Sequence, residues 1–307
     1  MVWNPRRLPA QPGKTFVVTG ANAGLGYFTS EQLASTGAHV MLACRSAARA
    51  ENAATRIRER VPGASVSTML LDVADFGSVQ QAVEVLDRLP QLHAVILNAG
   101  IVHPPVDRSV SLDGSELVLA TNYLGHVLLA EGLLPVLGRT PGSRVVSLGS
   151  MISRIMDSAL DDLQLETTYS GWKAYAQSKI ASQVYGFDLD RRLRADGRGG
   201  PAGIESLVAH PGYSISGLTP GIRGVNDVRP HKRVIDALQM VLGAQGKHQG
   251  AYPTVRAVLD RGLSGGAYLG PRFLVRGGPV RQPATRTSRD PGVARLLRER
   301  TALLLPP

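Results

Sequence analysis

Tyr175 and Lys179 stand four residues apart in the segment Trp172-Lys-Ala-Tyr-Ala-Gln-Ser-Lys179. Four residues is about one helical turn, so a helix here projects both side chains from one face. A phenol beside an ammonium is a proton-transfer device. Tyrosine titrates near ~10 in water, and work near neutral pH requires lowering that by roughly three units, about 4 kcal/mol. A cation about 4 Å away, at an effective dielectric of about 20, supplies about that much. On an exposed helix the same spacing is commonplace and inert, so the surrounding elements must decide.

The chain has 307 residues, is 43% apolar and carries 34 glycines, enough for one large α/β domain or two small ones. Strand-like apolar runs at 15–19, 38–43, 65–71, 93–98, 144–148 and 204–209 alternate with helical stretches at 24–36, 47–60, 76–88 and 113–137. A long loop then precedes the helix holding Tyr175 and Lys179, which ends near residue 195. This alternation predicts right-handed βαβ units in a single Rossmann-type α/β fold, a doubly wound parallel sheet with helices on both faces. Beyond Gly212 the pattern weakens. Residues 231–242 and 252–260 read as helices, 265–270 as a short edge strand, 271–292 as irregular and 293–305 as a last helix. The expected organisation is an N-terminal extension (1–13), the Rossmann domain (14–270) with a substrate loop at 212–228, and a basic C-terminal extension (271–307).

The formal charge of +10 is concentrated. Residues 271–307 hold eight arginines against two acids, more than half of the surplus. Only Phe273 is aromatic there, so the pattern favours a solvated tail, or one docked over an anionic cofactor, above a nucleic-acid surface. Cys44 is the one cysteine; it offers neither a disulfide framework nor a thiolate cluster and reads as a small buried residue. No His/Asp/Glu cluster has metal-ligand spacing. No apolar run reaches transmembrane length, and the N-terminus has no signal-type apolar core. The expectation is a soluble cytoplasmic protein with no metal, nucleic-acid or membrane partner.

After the first strand comes Thr19-Gly-Ala-Asn-Ala-Gly-Leu-Gly26. Gly20, Gly24 and Gly26 permit a tight turn, close approach of a pyrophosphate, and a helix N-terminus aimed at phosphate. The spacing is GxxxGxG, not the commoner GxGxxG. This loop resembles the cofactor loop of the short-chain dehydrogenase/reductase family, and other pieces follow in that family's order. Leu71-Asp72-Val73 resembles its adenine-contacting segment, and Asn98-Ala99-Gly100 the turn beside the adenine ribose. Asn122, in Thr-Asn-Tyr-Leu-Gly-His126, resembles the catalytic asparagine. Ser150 follows the fifth strand, then Tyr175 and Lys179, and His210-Pro211-Gly212 resembles the turn near the nicotinamide. The resemblance covers about residues 14–212 and is strongest to the retinol dehydrogenase and protochlorophyllide reductase branch.

The resemblance implies an oxidoreductase that interconverts a carbonyl and an alcohol by hydride transfer. Tyr175 would give or take the proton, and Lys179 would lower the Tyr175 pKa and hold the nicotinamide ribose. Ser150 would hydrogen-bond the carbonyl, and Asn122 would hold a water linking Lys179 to solvent. The cofactor would lie against Gly20, Asn22, Ala23, Gly24, Leu25, Gly26, Arg45, Asp72, Val73, Asn98, Ala99, Gly100, Tyr175, Lys179, Pro211 and Gly212. Two departures stand out: Gly149 replaces the first of two adjacent serines, and Leu97 replaces the first of two asparagines. Relatives of this kind are often dimers or tetramers, so a homo-oligomer is expected by analogy.

An acid ending the second strand would bind a free ribose 2′-hydroxyl and favour NAD. The strand instead ends Leu42-Ala-Cys-Arg45-Ser46. Arg45 can fork onto a 2′-phosphate, which predicts a preference for NADP(H) over NAD(H). Met151, Ile152, Tyr213 and Ile215, with Ile155, Met156 and Leu218 nearby, either border a hydrophobic carbonyl or alcohol substrate or pack on the sheet. Gly212, Gly217, Gly221 and Gly224 fit a lid that orders with ligand. His126, Ser147 and His210 read as structural. The alternatives are a catalytically silent NADP-binding sensor or scaffold of the same fold, and an epimerase or dehydratase using transient hydride transfer.

Overall fold

The computed structural model describes residues 3–156, 160–227, 236, 239–240 and 243–306. The first half alternates β1 (Thr15–Thr19), α1 (Gly24–Ala34), β2 (His39–Cys44), α2 (Ala47–Arg60), β3 (Ser65–Leu70), α3 (Phe76–Asp87) and β4 (Ala94–Leu97). Next come α4 (Leu117–Leu119), a π-helical turn (Ala120–Leu124), α5 (Gly125–Gly132), α6 (Leu134–Gly138) and β5 (Arg144–Leu148). A 3₁₀ turn (Met151–Arg154) leads toward α7 (Gly171–Ala195) and β6 (Glu205–Ala209). Then follow β7 (Ser214–Ile215), β8 (Gln245–Gly246), α8 (Lys247–Gly250), α9 (Tyr252–Leu259), β9 (Tyr268–Pro271), β10 (Pro279–Arg281), α10 (Arg286–Arg289) and α11 (Pro291–Ala302).

The main sheet runs β10-β9-β6-β5-β4-β1-β2-β3, parallel except for β10. Successive strand residues face opposite sides. Phe16, Val18, Leu42, Ile96 and Val146 meet Phe28, Leu33, Ile57 and Val255 on one face. Val17, Val95, Leu97 and Val145 meet Val79, Leu86, Leu124, Ile180 and Val184 on the other. Both faces are covered, as a parallel sheet requires. Strand order reverses between β1 and β4, and in open α/β sheets the carboxyl-end crevice at such a reversal takes the ligand.

Three expectations need correction. The helix expected over 113–137 starts only at Leu117, because the buried Glu116 carboxylate accepts the N–H groups of Val118 (2.9 Å) and Leu119 (2.7 Å) as a cap. It is then divided by the π turn and again at Leu133, with Pro135 in the first turn of α6. Residues 271–292 are not irregular, since β10 and α10 form within them. Nor is the tail solvated. Ala294 and Leu297 of α11 are buried in the α7-side core. Tyr123 Oη lies 2.8 Å from Thr301 Oγ1, and Arg298 donates to the buried Asp188 carboxylate at 2.6 Å. Arg191 and Arg192 bind the same carboxylate. The helix expected over 231–242 lies outside the described residues, apart from Asp236, Gln239 and Met240, and so does residue 228 of the expected loop. Among the described residues no helix is long and apolar enough to cross a membrane.

Candidate active site

The carboxyl ends of β1, β2, β3, β4, β5 and β6 lead into Gly20, Arg45, Asp72, Asn98, Ser150 and Pro211 respectively. The topology therefore brings the sequence-predicted residues to one edge of the sheet. At the β1/β4 reversal, Thr19 Oγ1 accepts the N–H groups of Asn98 and Ala99, both at 2.9 Å. Asn98 Nδ2 returns a bond to the Thr19 carbonyl at 2.7 Å. His126 Nε2 lies 3.0 Å from the same hydroxyl. Burial pushes His126 down to about 4, so the ring is neutral at physiological pH. Nε2 then takes the Thr19 proton while Nδ1–H reaches the Asn122 carbonyl at 3.2 Å.

Gly20 and Gly24 have φ of +65° and +58°, the left-handed region that an L side chain rarely adopts. At Gly26 a Cβ would come 2.4 Å from both Asn98 Nδ2 and the Gly20 carbonyl oxygen, so the turn closes only on glycine. The N-cap Ala23 supplies no side-chain bond, and the first turn of α1 carries no acid. Its N–H groups and positive dipole end thus fit the diphosphate of a dinucleotide. Cys44 lies beneath this turn, where burial raises its thiol to about 11 and keeps it unreactive. Arg45 is exposed at the end of β2. Asp72 caps Ala74 through Oδ1 at 3.0 Å, and the adjoining Val73 is buried.

Tyr175 and Lys179 both lie on α7, whose N-cap Ser170 accepts the Lys173 N–H. Tyr175 Oη donates to Ser150 Oγ at 3.4 Å. Ser150 Oγ also accepts the Ile152 N–H at 3.2 Å, which leaves the serine's own proton for another acceptor. Lys179 is buried, and its Nζ donates to the Leu148 carbonyl at 3.2 Å. A Cβ at Gly100 would lie 3.5 Å from that Nζ and 3.0 Å from Asn122 Oδ1, so these three groups share one recess. The side chain of Asn122 pairs reciprocally with Ile101, accepting its N–H at 2.7 Å and donating to its carbonyl at 3.1 Å. It also donates to Ser178 Oγ at 2.9 Å. The amide therefore fixes the turn after β4.

The electrostatics differ from the simple Tyr–Lys expectation. Burial holds Tyr175 above its ordinary value, an effect only partly offset by the Ser150 hydroxyl, which can turn its own proton toward a phenolate. Burial also pushes Lys179 down to about 8. Desolvation disfavours both charged forms, and the Lys179 ammonium is directed at a carbonyl rather than at the phenol. The resulting neutral phenol is the proton-donating form.

Among the candidate substrate residues, Ile152 is buried and Met151 half-buried. Tyr213 is exposed, with its hydroxyl on Gln239 Oε1 at 2.7 Å, and Ile215 pairs with Gly246 in the small β7–β8 sheet. His210 is structural: its Nδ1 accepts the Gly212 N–H at 3.3 Å and its Nε2–H faces Gln282 Oε1 at 3.0 Å.

Sequence reasoning overlooked Gln183 and Trp172. The exposed Trp172 ring sits 6.0 Å from that of Tyr175. Gln183 follows Lys179 by four residues, so the helical face of the pair pointed to it. Its buried Nε2 donates to the Ser150 carbonyl at 2.9 Å and to Ser153 Oγ at 2.8 Å. It also accounts for Gly149, where a Cβ would come 2.5 Å from Gln183 Cγ.

A model described as short chain dehydrogenase matches residues 14–213. Human retinol dehydrogenase 12 is 38% identical over 208 residues, 67% of this chain and 63% of that protein. The human WW domain-containing oxidoreductase is 38% identical over 209 residues, 65% of this chain and 49% of that protein. The chain thus spans less than two thirds of these relatives' length. An uncharacterised Mycobacterium paratuberculosis protein of known structure is 33% identical, with a TM-score of 0.76 over 98% of this chain and 97% of that one. A short chain dehydrogenase from Burkholderia cenocepacia, solved in complex with NADP, shares the fold at 24% identity, with a TM-score of 0.62 over 87% of this chain and 98% of that one.

Gly149→Ser is expected to destabilise the protein by about 1–3 kcal/mol through overpacking. In Gly149→Ser/Gln183→Ala the loss should fall short of the summed single losses by about 1 kcal/mol or more, measured by urea denaturation; strict additivity contradicts the steric pairing. Lys179 titrates at 10.5 unfolded and about 8 folded. Between those values the unfolded chain binds more protons, so wild-type stability rises with pH across that window. Lys179→Met should therefore be more stable than wild type by up to about 3 kcal/mol at pH 7, with the gain vanishing near pH 10.5. Urea melts at both pH values check this, and an equal gain at both refutes it.

Proposed function

We infer that this chain, which belongs to the short chain dehydrogenase family, is an NADP(H)-dependent oxidoreductase that interconverts a carbonyl and an alcohol on a hydrophobic small molecule. The observation that carries the reading is the meeting of Tyr175, Ser150, Lys179 and Asn122 at the carboxyl edge of the sheet, beside a glycine turn shaped for a dinucleotide diphosphate. When bound, the nicotinamide supplies or takes the hydride. In reduction, Tyr175 passes its phenolic proton to the substrate oxygen, and Ser150 donates its own proton to that oxygen as negative charge grows there. Lys179, poised near neutrality at about 8, offers its ammonium to the ribose and to the phenolate left on Tyr175. Oxidation reverses these transfers. The Trp172 ring beside Tyr175 and the exposed Tyr213 and Ile155 support an apolar substrate. A silent scaffold has no need of the complete four-residue set.

Tyr175→Phe should lower kcat by about 10²–10⁴ for a reducible aromatic ketone while leaving NADPH binding within about twofold, measured by turnover and fluorescence titration. Near-normal turnover overturns the assignment, and no turnover by wild type across a broad carbonyl panel favours the scaffold. Arg45→Ala should weaken NADPH binding by about tenfold or more and leave NADH binding unchanged, because only the former carries the 2′-phosphate. Equal loss for both, or wild-type preference for NADH, refutes the NADP assignment.

A further inference from the structure

We propose that Lys247, beyond the stretch matched by the family model, is a ligand for the diphosphate of the dinucleotide, closing on it from the side opposite the backbone of the glycine turn; this rests on the dinucleotide reading above. A Cβ built at Gly24 would lie 3.6 Å from Lys247 Nζ and 3.7 Å from its Cδ, so the end of the lysine side chain reaches the glycine turn.

The lysine is held there by its backbone. Its N–H donates to Thr219 Oγ1 at 2.8 Å, and the preceding Gly246 N–H donates to Gln249 Oε1 at 3.2 Å. Gln245 Nε2 binds the Pro211 carbonyl at 2.9 Å, and β8 pairs with β7 just after Gly212. From the other side, Gln32 Nε2 of α1 binds the His248 carbonyl at 2.8 Å, and the His248 ring stacks edge-on to Phe28 at 6.0 Å. Residues 245–248 therefore bridge α1 and the Pro211-Gly212 turn, the two borders of the crevice.

Charge explains what the bridge is for. The N-terminus of α1 is a positive dipole end with no acid in its first turn. The Lys247 ammonium stands beside that end, so a group with more than one negative charge could meet the dipole end and the lysine together. A diphosphate is such a group, and it is common to NAD(H) and NADP(H). Arg45, at the end of β2, addresses only the 2′-phosphate, so the two cations make separable contributions.

The test is fluorescence titration of wild type, Lys247→Gln and Lys247→Arg with NADPH and with NADH at several salt concentrations. Lys247→Gln should weaken both nucleotides by about tenfold or more, leave their ratio unchanged, and flatten the dependence of affinity on salt. Lys247→Arg should retain most of the affinity, and both variants should melt like wild type without nucleotide. Unchanged binding by Lys247→Gln overturns the proposal, as does a loss confined to NADPH or a lowered nucleotide-free melting temperature that accounts for the weakening. If wild type binds neither nucleotide, the dinucleotide reading itself falls.

Discussion

The Thr19 hydroxyl joins the two halves of the sheet at the point where their order reverses. It is fully buried, accepts two N–H groups from the turn after β4, and meets His126, whose other nitrogen reaches the Asn122 carbonyl. One side chain thus ties together the glycine turn, the turn at Asn98 and the helix that carries Asn122. The Thr19 hydroxyl and the His126 ring are themselves buried, so losing either leaves a buried group unsatisfied. The geometry of both the glycine turn and the recess that holds Asn122 and Lys179 descends from this junction. Asn122 extends it, since its amide fixes Ile101 and reaches Ser178 on α7.

Much of this arrangement was legible in the chain itself. The period of the apolar residues defined the six parallel strands within a residue or two, because a strand buried on both faces must be continuously apolar. The identity and order of Gly20, Asn122, Ser150, Tyr175 and Lys179 pointed to residues that the fold gathers at one edge of the sheet. Elements set by side-chain bonds were less legible. Glu116 reads as any helical glutamate without its cap, and the π turn at Asn122 is met by a donor far away in sequence, the Ser182 hydroxyl on the Asn122 carbonyl. Gln183 and Gly149 carry meaning only as a pair, one filling the space the other leaves. The last strand and helices were obscured by Pro, Gly and Arg, whose local preferences were overridden by pairing to β9 and packing on α7.

Burial sets the chemistry of the recess. A lysine and a tyrosine on successive turns attract when one is charged positive and the other negative, yet desolvation here favours the neutral state of both. Burial thus holds the phenol in its neutral form and pushes Lys179 down to about 8. These shifts arise from enclosure at the sheet edge rather than from the pair's spacing alone.

The docking of α11 on α7 has a consequence for biosynthesis. Arg298 reaches Asp188 across 110 residues of chain, and at the usual pace of translation that interval lasts on the order of ten seconds. During it, the flank of α7 that later receives Ala294 and Leu297 has no cover from the same polypeptide. A nascent chain stalled before residue 291 would present that apolar flank uncovered, while Asp188 keeps Arg191 and Arg192 of its own helix as partners.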